Sequence, residues 1–434
     1  MKIGDRFYGW PLLGFLVCIL VSTMGFPVFG SSVINAVMAQ EMHLSRSVMG
    51  LGFTMVVISG GVPAPLVAWV IGKIGARLTI VIGSLTTALG SLLMGVLVTT
   101  GWQYVLVFGV IVGTGICFSA AIPAQTVITH WFSRKRALAL SILWLGTGGG
   151  GAIAAPVMGY LIGAASGNWR VGWYLMSGMT LAAALVAFLF VKNTPSEVGQ
   201  LPDGDASNAA PETAALALAS KPHKTYHTDE VWTVHAALRT LAFWRIVGGS
   251  TVFMLPLMVM FAHLILHLRD LGHTPAIAAL SIGFIGVGQV AGKLTAGVFG
   301  DRVEPRFLWF FALVMMAVGI MLAIDARSQS DIYVFAFLLG AGQGISLISM
   351  PVMIANYFGH KLFAPLFGAQ AFVATIAIAA GPFLVGLSFD HIGSYALSFT
   401  IMAALALAGA VLIVFNRPPR IGTPVLVPCT DVAP

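Results

Sequence analysis

Lys293 has the most evident chemical capacity in this sequence, because it is a cation within a long apolar stretch. It stands eight residues before Asp301, which is about 12 Å along a helix. Gly286, Gln289, Lys293 and Gly297 recur at helical spacing and therefore share one face. An ionisable residue inside an apolar helix is costly and predicts a function. We predict that Lys293 binds an anion with help from Gln289; pairing with a backbone carbonyl and proton relay are the alternatives.

Two histidines, His263 and His267, lie one helical turn apart in another apolar run. Neither a His-Glu-x-x-His pattern nor a third ligand accompanies them, so no metal site is predicted. Histidine titrates near neutral pH, which suits His263 to contact with a solute or to a proton-coupled step. Hydrogen-bonded packing is the alternative for this side chain.

Four further side chains are candidate walls of a solute cavity, with ordinary packing as the alternative for each: Trp144, Thr147, Gln370 and Phe372. The 15 Asp and Glu fall in loops, tails or helix ends, so the cavity has one positive charge and favours a monovalent anion with an apolar body. The glycine run 146–151 lacks the Gly-Lys-Ser/Thr of a phosphate loop and indicates close helix packing. No catalytic constellation and no cofactor site is recognisable.

The elements that position these residues are apolar helices. The chain is 58% apolar and 9% charged, whereas a soluble domain has about 25% charged residues. A bilayer core needs about 20 apolar residues per helix, and the unbroken runs exclude the short alternating strands of a barrel. We predict an all-α integral membrane protein of twelve transmembrane helices. The predicted spans are 9–30, 47–71, 78–98, 103–129, 138–164, 171–191, 245–268, 275–299, 306–324, 331–357, 364–389 and 394–415.

The net charge of +7 follows a pattern typical of membrane proteins rather than of nucleic-acid binding. Lys and Arg concentrate in the loops on one side, which predicts that both termini are cytoplasmic. The polar stretch 192–244 divides the chain into a bundle at 1–191, a cytoplasmic linker, a bundle at 245–416 and a tail at 417–434. The end of the linker, from Glu230 to Trp244, is predicted to be an amphipathic helix on the membrane surface.

The two halves repeat each other in sequence. Trp131 precedes Pro156 by the same separation as Tyr357 precedes Pro382. The loop 72–77 also parallels the loop 300–306. Two parallel six-helix repeats predict pseudo-two-fold symmetry, a substrate site between the halves and a rocking motion that alternates access.

At these loops the chain resembles the major facilitator superfamily, which has a Gly-x-x-x-Asp-Arg-x-Gly-Arg-type signature between its second and third spans and again between its eighth and ninth. The second copy here retains Gly297, Asp301, Arg302 and Arg306, while the first has Gly72 in place of the Asp. The resemblance implies a conformational lock formed by Asp301, Arg302, Arg306, Lys73 and Arg77. The missing carboxylate at Gly72 argues against a symmetric lock.

Within that superfamily the chain resembles the branch of monocarboxylate transporters and oxalate–formate exchangers. The resemblance rests on residues 8–10, 131–132, 136–137, 242–244, 263 and 268–272. In that branch the position of Lys293 usually holds an Arg that binds the substrate carboxylate, and the position of Gln289 often holds an Asp. His263 matches a histidine common in the branch.

The resemblance implies a transporter rather than an enzyme. We expect proton-coupled uptake of a monocarboxylate, including an aromatic or bulky one, by rocker-switch alternating access in a bacterial inner membrane. The expected partners are a small organic acid, protons and membrane lipid, with no nucleic acid, and the chain is expected to be a monomer. The alternatives are exchange of organic anions without protons, and efflux of amphipathic compounds.

Overall fold

The computed structural model describes residues 7–132, 135–204, 225–226, 228, 230–300, 302–359 and 362–419. Eleven helices of these residues are long and apolar enough to cross a membrane. Helices are expected there because a helix satisfies its own backbone N–H and C=O groups, which lipid cannot do.

The first half contains α1 (Gly9–Glu41), α2 (Arg46–Gly61), α3 (Ala64–Val96), α4 (Gly101–Trp131), α5 (Arg136–Ala164) and α6 (Arg170–Phe190). The second half contains α7 (Leu241–Asp270), α8 (Pro275–Phe299), α9 (Pro305–Ile324), α10 (Gln329–Phe358), α11 (Phe363–Ile392) and α12 (Ala396–Val414). The predicted first span ended at residue 30, but α1 continues to Glu41 through a π-helical stretch at Val21–Gly30.

The twelfth crossing is hidden in α3, which contains one residue that is not helical. Gly75 has φ of 84° and ψ of 160°, so the chain turns there. Residues 64–74 therefore continue the crossing that α2 begins, and a new helix starts after Gly75. Asn193 stabilises this start, because its Oδ1 accepts a hydrogen bond from the Arg77 N–H at 2.8 Å. The prediction of twelve transmembrane helices is confirmed.

The loops lie at two faces of the molecule. We call the end with Gly75, Phe132, Lys192, Gly300 and Gly359 the linker face. The opposite end, the far face, holds the connections at 42–45, 97–100, 165–169, 271–274, 325–328 and 393–395. Capping side chains start three helices at the far face: the hydroxyls of Ser45, Thr274 and Ser328 accept from backbone N–H groups of α2, α8 and α10.

The helices form two six-helix bundles, α1–α6 and α7–α12, which pack together mainly through α2 with α11 and α5 with α8. Glycines allow these helices to touch through their backbones. A methyl group on Gly50 would collide with the Pro382 carbonyl, and one on Gly286 would collide with the backbone of Ala152. The bundles therefore meet at two junctions with no room for side chains at these points.

The segment before α7 differs from its prediction as one amphipathic helix over 230–244. The structure has a short helix at Val234–Leu238, and α7 begins at Leu241 rather than 245. The reason is local: the Thr240 hydroxyl accepts from the Phe243 N–H at 3.2 Å and starts a new helix. Trp232 is buried, with its ring 5.3 Å from that of Phe358. This segment therefore packs on the second bundle.

Candidate solute-binding site at the junction of the bundles

Lys293 joins the two bundles. Its side chain leaves α8 and is 6% exposed. The Nζ donates to the carbonyl oxygen of Trp144 at 2.9 Å and to the hydroxyl of Thr147 at 3.0 Å, both on α5. Three of the predicted site residues are thus brought together. Trp144 contributes its backbone carbonyl to this contact.

In the described part of the chain, the ammonium of Lys293 has only neutral hydrogen-bond partners and no carboxylate partner. The ion pairs found there are Arg46–Asp270, Arg170–Glu41 and Arg327–Asp325, and none includes Lys293. A buried charge is stable only when it is paired or well hydrogen-bonded. An ammonium has three donors, and two of them are used by α5. The site is therefore chemically suited to an anion.

The helical stripe that contains Lys293 packs against α5 over most of its length. Gln289 is 3% exposed, and its Cβ would lie 3.4 Å from a methyl group on Gly148 of α5. Gly286 also contacts α5, whereas Gly297 is exposed and has no close neighbour. Gln289 therefore shares the junction with Lys293, one helical turn closer to the far face.

His263 lies elsewhere. It is fully buried within the second bundle, where Nε2 is 2.8 Å from the Pro382 carbonyl oxygen and Nδ1 is 3.2 Å from the Tyr395 hydroxyl. At about 1.5 Å per residue, His263 is about 10 Å from the far-face end of α7, whereas Lys293 is about 27 Å from the far-face end of α8. The structure does not bring His263 into contact with the Lys293 site.

The two wall candidates on α11 are also separate from Lys293. The Gln370 amide donates to the Ser250 hydroxyl of α7 at 2.7 Å, inside the second bundle. Phe372 is 62% exposed, on a stripe that it shares with Ile376 at 61%. Phe372 therefore faces outward, because the inward face of α11 is taken up by its contacts with α2 and α7.

Two residues of the expected conformational lock, Arg77 and Arg306, make contacts within their own bundles. The Arg77 guanidinium donates to the Phe188 carbonyl and lies 5.0 Å from the Phe188 ring. Arg306 stacks on its neighbour Phe307 at 4.8 Å. Lys73 and Arg302 are exposed. Asp301 lies outside the described residues, so its part in the lock stays a prediction.

A second polar junction, at the far face, was not predicted from the sequence. Arg46 at the start of α2 donates to both carboxylate oxygens of Asp270 at 2.9 Å. The Asp390 carboxylate accepts from the backbone N–H groups of Arg46 and Ser47 at 3.0 and 2.9 Å. We call Arg46, Ser47, Asp270 and Asp390 the far-face clasp. The sequence signal was Arg46, a charged residue at the start of a helix. Its spacing in the sequence does not show that it pairs with carboxylates of the other bundle.

Hydrogen bonds between the bundles follow an order in depth. The far-face clasp is outermost, and the Thr54 hydroxyl of α2 donates to the Ala379 carbonyl of α11 at 2.5 Å further in. The contacts of Lys293 lie nearest the linker face among those of the described residues. Lys293 therefore marks the inner end of the region in which the bundles are joined.

Two six-helix bundles that meet around a buried cation have the architecture of a membrane transporter. The family model of the Major Facilitator Superfamily matches residues 15–286 and 258–427, and the chain belongs to this superfamily. The predicted family is confirmed, as is the expectation of a multi-pass membrane transporter rather than an enzyme.

The curated relatives point to one branch of that superfamily. The chain is 24% identical to Monocarboxylate transporter 13 of Bos taurus over 344 residues, covering 78% of this chain and 73% of the relative. It is 25% identical to Monocarboxylate transporter 12 of Rattus norvegicus over 395 residues, covering 85% and 78%. The predicted likeness to monocarboxylate transporters is confirmed.

Solved structures confirm the predicted fold. The D-xylose–proton symporter aligns with a TM-score of 0.68 at 16% identity, covering 95% of this chain and 98% of the symporter. A bacterial homologue of the human lysosomal transporter Spinster, in an inward-facing conformation, aligns with a TM-score of 0.64 at 15% identity, covering 94% of each chain.

Proposed function

We propose that the chain imports a monocarboxylate together with protons across the inner membrane of a bacterial cell, with both termini in the cytoplasm. The supporting observation is Lys293, a buried cation that joins the bundles and has only neutral partners among the described residues. The names of the curated relatives, which are monocarboxylate transporters, support this substrate class independently. Rocking of the two bundles would expose the site to each side in turn.

In this proposal the solute replaces a contact that already exists. The Trp144 carbonyl and the Thr147 hydroxyl accept hydrogen bonds from the ammonium of Lys293 in this conformation. A carboxylate is a stronger acceptor because hydrogen bonds between charged groups are shorter and roughly twice as strong as neutral ones. Binding of the solute therefore loosens the contact between α5 and α8, and in this proposal the Gln289 amide donates to the same carboxylate.

In this proposal His263 carries out the proton-coupled step. It acts on the gate, by which we mean the contact between α2 and α11 at the far face, and it does not contact the solute. His263 contacts the Pro382 carbonyl, and this carbonyl faces Gly50 of the other bundle. A change in the protonation of His263 alters its bond to Pro382 and so the packing of α11 against α2. His263 is a positioning residue in this scheme.

Transport into proteoliposomes tests the role of Lys293. Uptake of labelled monocarboxylates is measured for the wild type, Lys293→Gln, Lys293→Arg and the control Lys192→Gln, whose lysine lies at the linker face. We expect Lys293→Gln to lower uptake by about 100-fold, because a charge-assisted contact is worth about 1.5–3 kcal/mol. Lys293→Arg should retain part of the wild-type uptake, because it keeps the positive charge. Anion uptake that survives Lys293→Gln would end the site assignment.

The same vesicles separate proton coupling from exchange. Uptake by wild-type protein is measured with and without an inward proton gradient, and with and without internal substrate. We expect the gradient alone to drive accumulation. Acceleration by internal substrate alone, with no response to the gradient, would instead identify an exchanger of organic anions.

A further inference from the structure

A cavity of about 340 Å³ lies at the linker face, where α7 begins and α12 ends. It is lined by Leu241 and Arg245 of α7 and by Phe415, Asn416 and Arg417, which directly follow α12. Both helices belong to the second bundle, so this cavity is separate from the Lys293 junction. Nothing in the transport scheme uses it.

Two arginines give this cavity a strong positive charge. One N–H of Arg245 donates to the Phe415 carbonyl at 3.0 Å. A guanidinium has five N–H donors, so others stay available. Arg417 is exposed, and neither arginine is in an ion pair with a described carboxylate. Planar guanidinium groups suit phosphate oxygens better than other side chains do.

Asn416 also lines this cavity. It is fully buried, and its Nδ2 donates to the Ala242 carbonyl at 3.1 Å. Its Oδ1 is buried and has no hydrogen-bond partner in the part of the chain that the structure describes. A buried acceptor without a partner costs free energy. A ligand that offers a hydroxyl or ammonium donor beside a phosphate would satisfy it once the side chain turns toward the cavity.

The rim of the cavity is apolar. Leu241 is 64% exposed and Phe415 is 65% exposed, each next to an arginine-bearing segment. Large apolar side chains at the end of a transmembrane helix are suited to acyl chains. The ligand that fits this combination has a phosphate, a hydrogen-bond donor and apolar chains, which is the composition of a phospholipid.

We propose that this cavity binds the headgroup of an anionic phospholipid of the phosphatidylglycerol type. Arg245 and Arg417 hold the phosphodiester, a headgroup hydroxyl donates to Asn416, and the acyl chains lie along Leu241 and Phe415. Basic pockets between transmembrane helices are known to take anionic headgroups. The positive end of the α7 dipole adds to the attraction. Binding ties the start of α7 to the end of α12.

Native mass spectrometry of the detergent-purified full chain tests this proposal. Phosphatidylglycerol is titrated onto the wild type, the double variant Arg245→Gln with Arg417→Gln, and the control Arg327→Gln at the far face. We expect the double variant to bind at least about tenfold more weakly, which is about 1.4 kcal/mol, and the control to match the wild type. Melting temperatures without lipid should agree among all three, which shows intact folding. Equal lipid affinity of the double variant and the wild type would overturn the proposal.

Two further titrations separate a lipid site from a site for free anions. Phosphatidylcholine, which has no net charge and no headgroup donor, should bind at least about tenfold more weakly than phosphatidylglycerol. Inorganic phosphate at the same concentration should leave phosphatidylglycerol binding unchanged. Competition by phosphate at matched concentration would refute the lipid assignment and indicate a free phosphate site.

Discussion

Two junctions join the bundles, α2 with α11 and α5 with α8, and the six-helix repeat makes them equivalent positions. Both depend on glycines that let the backbones touch, Gly50 in the first and Gly286 in the second. Their polar contacts differ. The α2–α11 junction ends at the far face in the clasp of Arg46, whereas the α5–α8 junction ends toward the linker face at Lys293.

The difference shows how one backbone arrangement serves two purposes. In the far-face clasp Arg46 meets the Asp270 carboxylate, and the Asp390 carboxylate accepts from two backbone N–H groups, so every charged group has a partner and the contact stabilises closure. At the other junction Lys293 meets only a carbonyl and a hydroxyl among the described residues, so its charge remains able to attract an anion. The glycine packing is alike at both junctions and holds the bundles together. The charges differ, so the α2–α11 junction acts as the gate and the α5–α8 junction acts as the solute site.

The largest expected effect comes from overfilling the α2–α11 junction. Gly50→Leu places a side chain where the Pro382 carbonyl lies, so the far face can no longer close. Because overpacking costs about 1–3 kcal/mol or more, uptake into proteoliposomes should fall by about 100-fold. The control is Gly14→Leu, since Gly14 of α1 is exposed and has no close neighbour. Normal uptake by Gly50→Leu would show that this contact does not open and close.

The second effect tests the clasp as a gate. Arg46→Gln removes both bonds to Asp270, so the far face should open more often. A single cysteine at Thr54, in a background without Cys18, Cys117 and Cys429, should react about fivefold faster with an impermeant thiol reagent, because a surface ion pair is worth up to about 1 kcal/mol.

The control for the clasp is Arg170→Gln. The Arg170–Glu41 pair joins α6 to α1 within one bundle, so its loss should leave the reaction rate of the cysteine unchanged. If Arg170→Gln accelerates labelling as much as Arg46→Gln does, the clasp has no special role in closure.

A smaller effect sharpens the role of Lys293. Thr147→Val removes one of the two acceptors that compete with the solute for the ammonium. Because a hydrogen bond contributes about 1 kcal/mol net, the dissociation constant of the solute should fall by about fivefold. Isothermal titration on purified protein measures it. A weaker affinity in Thr147→Val would mean that the hydroxyl contacts the solute instead.

The smallest effect is expected from the side-chain hydrogen bond inside the other junction. Thr54→Val removes the hydrogen bond from α2 to the Ala379 carbonyl but touches no charge. Uptake should slow by about threefold or less, and the affinity for the solute should stay unchanged. An altered affinity would show that the two junctions are coupled more closely than their separate contacts suggest.

The sequence predicted the helices correctly because they follow from local spacing. An apolar run of about 20 residues is needed for each crossing, so the count of twelve could be read directly. Lys293, Trp144 and Thr147 were each selected as site candidates, and the structure brings them together. The hydrogen-bond length between them could not be known, because it depends on how close α5 and α8 pack.

Other candidates depended on which way a helix faces. Phe372 and Gln370 lie close together on α11, yet one points outward and the other into the second bundle. His263 matched a family pattern, but its neighbours are Pro382 and Tyr395, which are far away in sequence. A single apolar run does not reveal which of its side chains face lipid and which face protein, since both surroundings favour similar residues.

The sequence by itself determined that this chain crosses a membrane as two related sets of six helices. Lipid requires apolar helices, and the similar loop sequences of the two halves show the repeat. It also determined that one cation, Lys293, lies among apolar residues. Only the tertiary structure decided what that cation contacts, and only it joined Arg46 to Asp270 and Asp390, which are separated by 224 and 344 positions. Pairing over such separations is set by how the bundles pack, and no local pattern encodes it.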